Sequence, residues 1–465
     1  MLYSGLFLTF ASGFVFVHCF SLRFTLAEKT GLAFPLGMAL ECFLMLFLDQ
    51  AGIPLTPVPL LTVQTLLLAG LCAFVYFYRT NALKSLWASV SRPSLKGINL
   101  VWLLFILATA YMEYMNLSKC LYFPPSDGDS LAGFETIGYI LAQEHTLKGL
   151  SIFDASYMPG IHGPASYITY APFVQLSYAY VYALGAETSK VIPGLMYLFF
   201  LLAFYGATSR VAGRTGAAVA TFFMLLTPEM LGFSSLSMTN NMHAVFASLS
   251  VIYLSLWFTK REKKDLLLCG VLLGGNILCR TEGIVFIGSV LLLLFIDAFR
   301  SKQYKGFLQA SLFALVPLLV WTLYTKLNGL YAESIAITHL FWDAEKAGII
   351  TSYMWMLYNN TLYYGWSFVV FLIAFLANLW FLIRRRDSLG LLLAIGLSSL
   401  FYILILYQID YKWDTIDNVL SYSAKRFMFC FIPMLWYFSV TNHAVKSLFL
   451  KLERFLAHTS LRDAK

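Results

Sequence analysis

Two carboxylates separated by one glycine, Asp127-Gly128-Asp129, are the residues of this chain whose type and spacing best suit chemistry. Pro124 and Pro125 precede them and end the apolar helix before, because a proline forces its predecessor out of helical geometry. An amphipathic stretch carrying Leu131, Phe134, Ile137, Tyr139, Ile140 and Leu141 follows. Such a pair has three uses. Asp129 or Ser130 can cap the helix that starts here, accepting from its free amides. The two aspartates can hold a divalent cation, Mg or Mn, through oxygen ligands. One of them can instead take the proton from a reacting hydroxyl. A lone D-x-D does not choose among these.

Cationic counterparts lie far away in sequence. Lys425 and Arg426 open the last apolar run, in SYSAKRFMFCFIP. An arginine there can grip phosphate oxygens with two parallel bonds, whereas a lysine acts as a point charge; either also suits an interface by snorkelling. Arg280 sits between two apolar runs, two residues from Glu282, so it pairs with that carboxylate or faces a ligand. His162, among Pro159, Gly160, Gly163 and Pro164, holds its loop or touches substrate, and Tyr167 opens a tyrosine-rich segment that ends at Gly185. Glu41 and Glu113 fall inside apolar runs, where packing or interface roles are expected. The seven cysteines show no pair or metal spacing and read as small apolar packing groups.

The elements that position these residues are apolar helices. Of 465 residues, 59% are hydrophobic and 12% charged, about half the charge of a soluble domain. Mean hydropathy is +0.73. The hydrophobic residues come in runs near the ~20 residues that cross a bilayer as a helix. Spans are expected near 3–20, 32–48, 57–78, 99–116, 188–208, 213–229, 241–259, 266–281, 283–299, 307–327, 366–384, 388–408 and 426–443. The fold class is therefore an all-α polytopic membrane protein of about 13 transmembrane helices. The first run lacks a basic start and a small-residue cleavage site, so a retained span is expected there.

Lysine and arginine placement sets the orientation. Arg79, Lys84, Arg92 and Lys96 share one loop; Arg210 and Arg214 share a second; Lys260, Arg261, Lys263 and Lys264 share a third. Arg300, Lys302 and Lys305, then Arg384 to Arg386, then Lys446, Lys451 and Arg454 continue the series. All fall on one side, which the positive-inside rule makes cytoplasmic. The net charge of +8 is thus a topology signal, and no nucleic-acid partner is implied. The segment from Tyr167 to Gly185 must then be a helix or hairpin at the outer interface, since a crossing there would invert every later loop. Three outer regions remain, at 117–187, 328–365 and 409–425, and they gather the acidic residues.

The D-x-D after an outward-going span, the juxtamembrane helices, and HGPASYITYAP resemble the GT-C superfamily of integral-membrane glycosyltransferases. Protein O-mannosyltransferases and the lipid A aminoarabinose transferases are its familiar members. The turn RVAGRTG, the stretch LLTPEMLGFSSLSMTNNMHAVF, the turn GGNILCRTEGI and SYSAKRFMFCFIP follow in the family's order. The departure is one proline where the family has a Pro-Pro pair. The resemblance implies a catalytic module at 99–330 with its first extracytoplasmic loop at 117–187. N-terminal helices at 1–98 precede it, and a second outer loop with C-terminal helices at 331–465 follows. It also implies a polyprenyl-phosphate-linked sugar donor, a lipid, glycan or protein acceptor, and inversion at the sugar. By resemblance, Asp127 or Asp129 is the base, with a metal at this pair in some members. Arg426, Lys425 and Arg280 are the phosphate candidates; His162, Glu282 and Tyr167 complete the substrate-binding set. The bacterial inner (plasma) membrane is the expected location, with the site outside.

No soluble region follows the last span, which points to transfer of a single sugar rather than an oligosaccharide. Two rivals stand beside this expectation. An O-antigen ligase or polymerase would work through His339, Lys346 and the 328–365 loop, yet that loop is poor in arginine. A transporter or flippase would use helix breaks at Pro172, Pro228 and Gly274-Gly275, but the halves show no repeat symmetry.

Overall fold

The computed structural model describes residues 1–20, 24–78, 99–153, 170–330, 336–338, 343–411 and 415–462. His162, Tyr167, His339 and the basic loop from Arg79 to Lys96 lie outside the described residues.

In lipid, backbone polar groups have only each other to bond, and long apolar runs must become helices. The first four are α1 (Leu2–Phe20), α2 (Leu26–Gln50), α3 (Pro57–Tyr78) and α4 (Leu100–Tyr122). A short α5 (Glu135–Glu144) and α6 (Phe173–Ala183) follow, then α7 (Val191–Leu225), α8 (Pro228–Phe233), α9 (Thr239–Lys260), α10 (Lys263–Cys279), α11 (Gly283–Ser301) and α12 (Tyr304–Leu327). The chain ends with α13 (Ala344–Tyr358), α14 (Ser367–Arg385), α15 (Leu389–Gln408), α16 (Ile432–Thr441) and α17 (His443–Arg462). Two three-residue strands, β1 (Ala336–Thr338) and β2 (Ile409–Tyr411), pair antiparallel and tie two outer regions together.

Among the described residues, ten helices are long and apolar enough to cross a membrane. The three other expected spans take different forms. α10 has only 17 residues. The run at 426–443 keeps helical backbone angles at its junctions but changes winding, from a turn of α-helix at Lys425–Met428 through a 3₁₀ turn at Phe429–Phe431 to α16, which has Pro433 in its first turn. The runs at 188–208 and 213–229 are joined in the 35-residue α7, which bends at Gly213. Gly213 has φ 79° and ψ 175°, a conformation essentially reserved for glycine. Side-chain contacts show how sharply the path turns. Along α4, Asn99 donates to Thr215 (2.9 Å), Trp102 donates to Tyr205 (2.9 Å), and Phe105 meets Phe222 (5.3 Å). Farther along, Asn116 accepts from Ser234 at 2.9 Å. Before Gly213, α7 runs against α4; after it, the chain runs with α4.

Most charged residues sort to the two ends of the bundle, whereas Glu41 and Glu113 are buried inside α2 and α4, as their place in apolar runs suggests. At one end Arg210 bridges Glu28 (3.1 Å), Asp265 (2.7 Å) and Glu262 (3.4 Å), beside Lys264, joining α2, α7 and α10. The capping box of Thr25 and Glu28 starts α2 at the same end. α9 lies at the centre and is buried on all faces, whereas α3 and α4 expose Leu66, Phe77, Leu104 and Leu107 outward, as lipid-facing helices do.

α6 stays on the side where the acidic loops gather. Its 11 residues rise only ~16 Å, far short of a ~30 Å core. It differs from a surface-lying helix in one respect: Phe173 to Val181 are all buried. Two of its three tyrosines find hydroxyl partners inside: Tyr180 donates to Gln64 (2.9 Å), and Tyr182 donates to Glu135; the Tyr178 hydroxyl is buried without one.

Candidate functional site

The aspartate pair sits where the chain leaves α4 and begins the helical stretch leading into α5. Asp127 is the cap of that stretch: the Ser130 amide donates to its Oδ1 at 2.8 Å. The expectation that Asp129 or Ser130 caps it is thus corrected by two or three residues, because the helix already starts at Gly128. Capping uses one oxygen only. The other, Asp127 Oδ2, is buried and has no hydrogen-bond partner. Burial pushes the Asp127 carboxyl above the usual carboxylate range; the Ser130 amide opposes this, and the charges of Asp129 and Glu135 add to it. A carboxylate so placed is a stronger base than one in water.

Asp129 faces the other way and accepts from the Arg426 guanidinium, 297 residues on. Both ends of this ion pair adjoin a π-helical turn, Ser130–Phe134 after Asp129 and Leu420–Ala424 before Lys425. An extra residue in a helical turn re-aims the side chains beside it, and such bulges are frequent at functional sites. The pair remains partly open, with side chains 25% and 34% exposed, so an incoming anion can reach Arg426.

Lys425 points elsewhere. Its Nζ lies 3.4 Å from Glu229 and 4.5 Å from the Tyr363 ring centroid, and its carbonyl accepts from Tyr364 at 3.0 Å. Glu229 was not singled out by sequence; burial raises its carboxyl, and Lys425 opposes the rise. Lys190 is a second such residue. Its ammonium donates to the Phe123 and Pro124 carbonyls at 2.8 and 3.5 Å, pinning the chain that leads to Asp127. A signal for both existed: Lys190 breaks the one-sided distribution of basic residues, and Glu229 follows a helix-starting proline. Behind the pair, Ser130 donates to Glu135 (3.1 Å) and to the Ser237 carbonyl (3.3 Å), fixing the turn against the start of α9.

Arg280 and Glu282 form the pair that their spacing allowed, with Nε–Oε2 at 3.2 Å and Nη2–Oε1 at 2.5 Å. Burial alone would raise Glu282, but Arg280 holds it at about 2. Near Arg426, Tyr402 stacks on Phe427 at 3.6 Å, and His243 sits 5.9 Å from Phe427. The structure therefore brings Asp127, Asp129 and Arg426 together, places Lys425 with Glu229 beside them, and keeps Arg280 with Glu282 as a pair of its own. In the second outer loop, Lys346 donates to the Ile409 carbonyl at 2.9 Å and braces β2. Among the described residues, no group of three or more His, Cys, Asp or Glu forms a cation site; at the aspartate pair, Asp127 Oδ2 is without a partner and Asp129 Oδ2 is held by Arg426.

The family model described as dolichyl-phosphate-mannose-protein mannosyltransferase matches residues 171–324. That stretch includes Lys190, Glu229, Arg280 and Glu282, and the aspartate pair precedes it. The match, spanning about a third of the chain, agrees with the resemblance to membrane glycosyltransferases of the GT-C superfamily, and the ten long apolar helices bear out the helical membrane fold class. Among solved structures, the oligosaccharyltransferase of Archaeoglobus fulgidus, crystallised with zinc and sulfate, is similar with a TM-score of 0.46 and 14% identity. The similarity covers 78% of this chain and 51% of that one, so the chain spans about half of that protein's length. No curated protein matches this sequence.

Proposed function

We propose that this integral membrane protein transfers a sugar from a polyprenyl-phosphate donor to an acceptor hydroxyl, with inversion, at the extracytoplasmic face. The observation that carries the reading is the free, buried Oδ2 of Asp127 next to the partly open Asp129–Arg426 pair, at the end of the bundle away from its basic loops. Asp127 Oδ2 takes the acceptor's proton as its oxygen attacks the anomeric carbon. The bond from that carbon to the phosphate oxygen breaks, and polyprenyl phosphate leaves with the electron pair. Attack opposite the leaving group inverts the centre. Arg426 stabilises the negative charge gathering on the phosphate, exchanging its bond to Asp129 for one to the donor. Asp129 keeps Arg426 oriented until the donor arrives. A divalent cation at the two aspartates would add positive charge at the same phosphate.

The test uses purified protein, a radiolabelled polyprenyl-phosphate sugar, and acceptor pools of lipid, glycan and peptide, with and without a chelator. Transfer of label with release of polyprenyl phosphate, and a product of opposite anomeric configuration by NMR, is expected. Retained configuration would overturn the single-displacement route. No release with any acceptor would overturn the donor assignment. Loss of transfer on chelation, restored by Mg or Mn, would assign the metal to the pair.

A further inference from the structure

The helix α17 forms a second surface whose composition has a definite match. It starts where Asp387 accepts from the His443 amide at 2.9 Å, beside the end of α14, with the Phe381 and His443 rings 4.3 Å apart. Ten residues on, Glu453 accepts from the Thr215 amide at 2.6 Å, at the Gly213 turn of α7. Both contacts are level with span ends, so α17 lies along the basic end of the bundle rather than crossing. One face, with Val445 and Phe449, packs on the core. Another exposes Leu448, Leu452 and Phe455, at 63, 37 and 65%, at the spacing of one helical stripe. Lys446, Lys451 and Arg454 interleave with it, and Arg384, Arg385 and Arg386 end the neighbouring α14. Among the described residues, none of these six cations has a carboxylate within ion-pair distance.

We infer that α17 and the three arginines of α14 form a docking platform for anionic phospholipid headgroups in the leaflet at the basic end. An apolar stripe edged by lysine and arginine lies in a membrane interface, leucines among the acyl chains and cations at the phosphates. Lipid held there also secures Glu453 at the Gly213 turn, because one helix carries both contacts. The inference stands apart from the transferase reading.

Hydrogen exchange of the full chain tests it, in nanodiscs of phosphatidylcholine alone or with phosphatidylglycerol. Amides of α17 should exchange at least about tenfold more slowly with the anionic lipid, as basic residues near such a surface each contribute several-fold. The difference should vanish at about 1 M salt, where screening acts within ~3 Å. It should shrink in the triple variant Lys446→Gln, Lys451→Gln, Arg454→Gln, which leaves only the three arginines of α14. Equal exchange in the two discs would overturn the inference. So would protection that persists in high salt, which would assign the stripe to a second copy or another protein. The salt measurement needs no variant, so the test survives if the triple variant fails to fold.

Discussion

The two ends of the bundle treat their charges differently. At the basic end Arg210 is enclosed, and Glu28 and Asp265, both fully buried, spend all four carboxylate oxygens on it, on Tyr253 and on the Thr25 amide. At the other end Arg426 holds Asp129 in a partly open pair, and the neighbouring Asp127 keeps one oxygen without a donor. A saturated network fixes helices in place. An unsaturated one leaves a proton acceptor and a displaceable cation contact, which is what a transfer site requires.

The comparison can be broken by removing one arginine from each end. Arg210→Ala should cost about 3–5 kcal/mol in unfolding experiments, because it strands two buried carboxylates, while the folded fraction transfers normally. Arg426→Ala should leave stability within about 1 kcal/mol, since a partly exposed pair contributes little. It should weaken donor binding roughly tenfold or more, read by titration with labelled donor. Arg426→Lys should recover only part, for want of the planar fork. Gly213→Ala should destabilise by about 1–3 kcal/mol, since the backbone there suits glycine and a new Cβ would meet the Glu453 carboxylate. The smallest effect is on pH. Protonation of Asp127 ends its role as base, so activity should fall as pH drops through a value above the ordinary carboxylate range. Asp129→Asn removes a nearby negative charge and should move that limb modestly to lower pH in a rate profile.

Much of this was legible in the sequence because it is local or periodic. Apolar runs mark the helices, the two-residue spacing of Arg280 and Glu282 allowed their pair, and Asp127-Gly128-Asp129 and Arg426 marked the two halves of the candidate site. Division of labour between the aspartates was not legible. It depends on which one begins the helix, and a π-helical turn follows them that no spacing rule anticipates. Lys425 with Glu229, and Lys190 with the Phe123 carbonyl, join segments 196 and 67 residues apart, and no local pattern encodes such pairs. The burial of α6 was hidden because tyrosines suit an interface and a polar-lined interior alike, and only the partners Gln64 and Glu135 decide between them.

The central claim is that Asp127, and not its neighbour, accepts the proton. Single-turnover transfer from labelled donor by Asp127→Asn, beside equilibrium donor binding, tests it most directly. Asparagine caps a helix as well as aspartate does, so the fold is kept while the base is lost. The expected result is undiminished donor binding with transfer slowed about 10²–10⁴-fold, and Asp129→Asn retaining chemistry while changing donor affinity through Arg426. Wild-type transfer by Asp127→Asn would make that residue a helix cap alone and contradict the account.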